Sequence, residues 1–127
     1  MAEAGVTLNA YRERLADANA GGAAISPITH MAFGDGGHRA DLSVIPPDAE
    51  QVALNNELLR VSLDSVAKDT RFSVTGTGTI QNDDLVGKAI SEAALVDGAG
   101  NLVGIKNFSP KVKEADEYYE TSIKLRF

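Results

Sequence analysis

The chain has no cysteine among its 127 residues. This excludes a disulfide framework, a thiolate nucleophile and a thiolate metal site, and it suits assembly in a reducing cytoplasm. No apolar run approaches the ~20 residues that a membrane-spanning helix needs. The opening Met1-Ala2-Glu3-Ala4-Gly5 offers neither a basic stretch nor an apolar segment, so no signal peptide is expected. Basic residues are scarce: 12 Lys and Arg against 18 Asp and Glu leave a formal net charge of −6 and a pI near 4.8. That sign argues against a nucleic-acid or anionic-membrane partner, because phosphate contact needs concentrated positive charge. The one basic cluster, Lys106, Lys111 and Lys113, is broken by Phe108 and Pro110 and followed by Glu114, Asp116 and Glu117. Tandem repeats, low-complexity tracts and internal linkers are also missing, which makes residues 1–127 a single domain.

Motifs of catalysis are equally scarce. Gly34-Asp35-Gly36-Gly37 resembles a phosphate cradle, but no Lys-Ser/Thr follows it and no helix opens behind it, so it reads as a tight turn. Asp35, His38 and Asp41 offer two carboxylates and one imidazole on a glycine loop, too few for a closed metal site without a ligand from elsewhere. His30 falls on an expected strand. No Gly-x-Ser-x-Gly elbow is present, and Ser26, just before Pro27, reads as a loop hydroxyl. Asp83-Asp84 and Glu114/Asp116/Glu117 lie in expected turns, where solvated charge is the default. The sequence therefore assigns no catalytic, cofactor-binding or metal-binding residue.

What is present is period. Thr7 reads as the N-cap of an amphipathic helix with Leu8, Tyr11, Leu15 and Ala18 on one face, ended by Asn19 to Gly22. Residues 25–33 form a strand with Met31 and Phe33 pointing inward, residues 34–39 a loop, and residues 40–47 an extended stretch. Pro47-Asp48-Ala49-Glu50 opens a short second helix that buries Val52, Leu54 and Leu58. From Leu59 the period becomes two, with a turn at Lys68-Asp69-Thr70. In the strand 71–80, Phe72, Val74, Gly76, Gly78 and Ile80 share one side, and the two glycines point to a bulge or a close backbone approach. Residues 88–96 and 102–107 pair as an antiparallel hairpin around an exposed Asp97–Asn101 loop. Tyr118 and Tyr119 read as one surface and one core aromatic. The chain closes on a strand with Thr121, Ile123, Leu125 and Phe127 as its apolar stripe. Helices early and strands late favour an α+β fold, a mostly antiparallel β-sheet or sandwich with one amphipathic N-terminal helix and one short second helix. Glu92 stands out, a charge between Ile90 and Leu95. If it is buried it needs a partner, for which Arg60 and Arg126 are candidates; otherwise it faces outward.

The order of these motifs resembles the N-terminal domain of bacteriophage tail-collar and tail-fibre proteins. The matching positions are Ala32-Phe33-Gly34-Asp35-Gly36, Leu54-Asn55-Asn56-Glu57-Leu58-Leu59-Arg60, Ile90-Ser91-Glu92-Ala93-Ala94-Leu95, and Asp97 to Leu102. They span nearly the whole chain, and Ala94 stands where the family favours Gly. The resemblance implies a non-enzymatic virion component that joins a tail fibre to the baseplate, assembled in the host cytoplasm. It also implies a homotrimer whose partners are baseplate proteins and the continuing fibre. Phe127 falls within the last expected strand, which suits either a piece of a longer fibre or a short stand-alone relative. The alternative is a small carbohydrate- or ligand-binding β-rich domain of prophage origin, using an aromatic such as Tyr118 or Phe108.

Overall fold

Alternation at period two sets the architecture, because each strand must turn one row of side chains toward a core. The structure, a computed structural model, describes residues 3–127; Met1 and Ala2, the start of the stretch read for a signal peptide, lie outside them. In chain order the elements are β1 (Glu3–Ala4), β2 (Val6–Thr7), α1 (Asn9–Asn19), β3 (Ile28–Gly34), β4 (Glu57–Ser62) and β5 (Ser65–Thr70). Then come β6 (Ser73–Ile80), β7 (Ala89–Asp97), β8 (Leu102–Val112) and β9 (Tyr119–Arg126). They form a four-stranded sheet, β1-β9-β6-β5, and a five-stranded sheet, β2-β8-β7-β3-β4. Every pairing is antiparallel except β1 with β9. The chain changes sheets four times, at Gly5 between β1 and β2, at Leu63-Asp64 between β4 and β5, and in the loops between β6 and β7 and between β8 and β9.

The two sheets stack on a core of Met31, Phe33, Ile80, Leu95, Val103, Ile123 and Leu125, all fully buried. The glycines of β6 are what let the sheets approach. A Cβ on Gly76 would lie 2.7 Å from Leu95 Cδ2, and one on Gly78 would lie 3.0 Å from Met31 Cβ. The close approach expected from those glycines is therefore present. A second cluster lies on the other face of the five-stranded sheet, where Leu8 and Leu54 cover Ala32, Ala94, Val96, Leu102 and Ile105. Strand β7 is thus buried on both faces, which explains its unbroken burial from Ile90 to Asp97.

The antiparallel, sandwich-like fold and the hairpin of β7 with β8 match the sequence reading. Met31 and Phe33 point inward as expected, Tyr119 packs on the core, and Tyr118 is exposed.

Several elements differ. The second helix does not form: residues 48–56 are turns. Asp48 Oδ1 accepts the Glu50 N–H at 2.9 Å and Gln51 Oε1 accepts the Asp48 N–H at 2.8 Å, so side chains replace the helical ladder. Helix α1 starts at Asn9 behind Leu8, which makes no side-chain cap bond. Thr7 lies in β2 instead, its hydroxyl donating to the Arg126 carbonyl at 2.7 Å. No residue of α1 is fully buried, although Tyr11 of its apolar stripe packs partly buried against the core. The stretch expected to be extended from residue 40 begins instead with a turn over residues 40–43, closed by a bridge between His38 and Val44.

Strand β5 runs through the turn expected at residues 68–70, and the reversal falls at Arg71-Phe72, leaving Phe72 exposed. Asp97 is buried rather than part of an exposed loop, since its Oδ1 accepts the N–H groups of Ala99 and Asn101, both at 3.0 Å. Strand β9 lies between β1 and β6, and of its stripe Thr121, Ile123 and Leu125 are core while Phe127 is exposed. The two-residue β1 is one edge of that sheet, and β5 is the other, exposed along its whole length and carrying Lys68 and Asp69, charges of the kind that discourage edge pairing.

Candidate functional site

The glycine loop, the Asn55-Asn56 turn and the Ser91-Glu92 pair meet at one point on the outer face of the five-stranded sheet. Glu92 is fully buried there. Its Oε2 accepts the Gly36 N–H at 2.9 Å and the Asn56 N–H at 2.8 Å, and its Oε1 accepts the Asn55 N–H at 2.9 Å. Neither Arg60 nor Arg126 is the partner. Arg60 pairs with Glu57 at 2.9 Å, which raises the pKa of its guanidinium. The buried charge is held by amides, an arrangement that suits a carboxylate when all its neighbours donate.

The neighbouring side chains complete the knot. Ser91 Oγ accepts the Gly37 N–H at 2.9 Å and shares a 2.7 Å hydrogen bond with His38 Nδ1. Asn55 Nδ2 donates to the Gly36 carbonyl at 2.8 Å, and Asn56 Nδ2 donates to Asp35 Oδ1 at 2.6 Å. The sequence placed an anion cradle at Gly34-Asp35-Gly36-Gly37 and read it as a turn. One amide of that loop, that of Gly36, does face an anion, and that anion is the protein's own Glu92, whereas the Gly37 amide turns to Ser91 Oγ and the Asp35 amide to the Asn56 carbonyl.

Close packing explains the glycines of this loop. A Cβ on Gly37 would lie 2.2 Å from the Ser91 carbonyl oxygen, and one on Gly34 2.3 Å from the Asn56 carbonyl oxygen. Gly37→Ala is expected to lower stability by about 2 kcal/mol, the scale of a change that forces the backbone apart. Gly98→Ala, whose new Cβ would come no closer than 3.7 Å to any heavy atom, should be near neutral. Paired thermal melts of the two variants check this.

The residues considered for metal binding diverge. Asp35 turns to Asn56 and His38 to Ser91. Asp41 accepts from the Ser43 hydroxyl at 2.6 Å and the Ser43 amide at 3.1 Å, bonds that hold its carboxyl below the usual carboxylate range. His30 shares a hydrogen bond with Thr29 Oγ1 on β3. Among the described residues no three metal-capable side chains share a site.

The basic cluster dissolves in the same way. Lys113 is buried and donates to the carbonyls of Asn82 at 2.9 Å and Glu114 at 3.0 Å, stitching two loops together. Lys111 pairs with Glu117 at 3.3 Å, and Lys106 Nζ donates to the Ser122 carbonyl at 3.1 Å. Glu117 sits below the usual carboxylate range because it accepts the Glu114 amide and lies beside Lys111. Of the two aromatics considered for ligand stacking, Phe108 is half-buried beside Tyr119 while Tyr118 is exposed. No described helix is long and apolar enough to cross a membrane.

Sequence reasoning missed one feature, a cavity of about 570 Å³ between the C-terminal half of α1, residues 20–26 and the hairpin tip at 97–101. Its only sequence signal was the run of small residues from Ala20 to Ala24.

A β-sandwich whose long loops are tied to a central strand by a buried carboxylate defines a module of fixed surface shape. The chain belongs to the family described as phage tail-collar fibre protein, N-terminal, whose profile matches residues 1–124. It is 32% identical over 111 residues to a probable tail fiber protein of Escherichia phage P2, covering 87% of this chain. The chain spans 16% of that relative's length. No solved structure matches the chain.

Proposed function

We propose that this domain is a non-catalytic structural part of a phage tail fibre that attaches the fibre to the baseplate of the tail. The observation that carries the reading is the family match over residues 1–124. The knot at Glu92 supports it, because it joins three of the four stretches that resembled the family into one rigid feature. Loops fixed by internal bonds lose little conformational entropy when they dock, as suits a permanent joint.

The partners in this reading are baseplate proteins and the rest of the fibre, in the virion tail after assembly in the host cytoplasm. Fibres of this kind imply a trimer. Self-association would have to use surfaces other than Thr121, Ile123 and Leu125, which are core. Immunogold labelling of intact particles with an antibody to this domain should mark the baseplate end of the fibre. Label at the distal tip would reject the assignment. Sedimentation of the purified domain tests assembly separately: trimers are expected, and a monomer at high micromolar concentration would show that this domain does not trimerise by itself.

A further inference from the structure

Strands β6 and β9 pair from Ser73–Arg126 at one end to Ile80–Tyr119 at the other, which gives the domain two poles. The first pole holds Phe127, whose N–H donates to the Phe72 carbonyl at 2.7 Å and whose ring centre lies 5.5 Å from that of Tyr11. The second is built from the loops at 81–88 and 113–118 and the end of β8. It exposes three large apolar side chains, Val86 at 48%, Val112 at 50% and Tyr118 at 67%. Lys113 ties its two loops together: besides the bonds of its ammonium to the Asn82 and Glu114 carbonyls, its carbonyl accepts the Gly87 N–H at 2.8 Å and its N–H donates to the Lys88 carbonyl at 2.9 Å. Each loop also holds a non-glycine residue in the left-handed region, Leu85 at φ 56° and Asp116 at φ 60°. Such conformations cost energy and persist only where the surroundings impose them. The exposed apolar groups are therefore carried on a fixed frame, the condition under which docking is least opposed by ordering.

The family is described as the N-terminal part of a tail-collar fibre protein, so under the fibre-joining reading the rest of the fibre leaves from the Phe127 pole. We propose that the opposite pole is the face that seats on the tail, with Tyr118, Val86 and Val112 entering an apolar depression in a tail protein. The rim sets the charge of that partner. Asp83, Glu114 and Asp116 are exposed around the apolar groups together with Lys88, while Lys111 is paired with Glu117. Three exposed carboxylates against one ammonium outside that pair match a basic rim on the partner, around an apolar centre. The assignment presupposes the fibre-joining role and adds to it the surface and the chemistry of the joint.

The test adds the whole chain, gold-labelled, to phage tails assembled without their fibres and counts labelled tails by negative-stain electron microscopy. Tyr118→Asp and Val86→Asp alter exposed side chains and should keep the circular dichroism spectrum of the wild type. Each should need about tenfold more protein to label half of the tails, the scale on which losing one central contact is felt. Phe72→Asp, at the other pole, should label like the wild type. Raising the salt concentration should weaken labelling by the wild type, as a charged rim requires. Wild-type protein that leaves the tails unlabelled rejects the joining role and this surface with it. Wild-type labelling that survives both Tyr118→Asp and Val86→Asp, or that falls with Phe72→Asp and not with them, rejects this surface alone. Labelling lost together with a lower sedimentation coefficient in Tyr118→Asp would assign the pole to contact between copies of the chain and overturn the proposal.

Discussion

Glu92→Ala is expected to destabilise the domain by about 3 to 5 kcal/mol, the scale on which losing one member of a buried charged network is felt. The substitution removes the acceptor from the amides of Gly36, Asn55 and Asn56 at once, and it opens a void beneath two loops. Glu92→Gln keeps one carbonyl acceptor but turns its other end into a donor facing donors, so it should recover less than half of the loss. Urea unfolding monitored by circular dichroism measures both. A cost below about 1 kcal/mol for the alanine variant would mean that water satisfies the freed amides and that the knot is incidental. Against a total stability of about 5 to 15 kcal/mol, the expected loss is a large share.

Leu125→Asp is expected to unfold the domain rather than dissociate an assembly. Leu125 is fully buried, and it packs so tightly that a Cβ on Gly104 would lie 2.4 Å from its Cδ2. Truncating such a side chain costs about 2 to 5 kcal/mol, and placing a carboxylate in the same core adds several more. The far-UV spectrum should lose its β signature at every protein concentration. Phe72→Asp is the control: Phe72 is 62% exposed at the β5–β6 reversal, so the fold should persist with a change within about 0.5 kcal/mol. A folded, soluble Leu125→Asp monomer would contradict the core assignment.

The contrast between these sites shows what the sequence made readable. Strands β6, β7, β8 and β9 were visible because alternation is a local property, and the β7–β8 hairpin because Asp97-Gly98 sits between two apolar runs. The neighbour of each strand was not visible. Nothing local says that β9 lies between β1 and β6. The residues from 48 to 56 carry helix-start signals but form turns because their partner is distant: the Asn56 amide reaches Glu92, 36 residues away. Glu92 itself was conspicuous as a charge in an apolar run, yet its partners were not. An arginine leaves a letter in the sequence, whereas a backbone amide belongs to nearly every residue and leaves none. The cavity escaped for a similar reason, since its walls come from a helix, a stretch of small residues and a hairpin tip far apart in the chain.

One pairing has a mechanical consequence. Strands β1 and β9 run parallel, with Glu3 opposite Ile123 and Ala4 opposite Lys124, and the Gly5 amide adds a bond to the Lys124 carbonyl at 2.8 Å. Tension between the start of β1 and the end of β9 would slide these strands lengthwise past each other. The cross-strand bonds would then share the load and break together, instead of peeling one after another as they would in an antiparallel pair pulled from the same side.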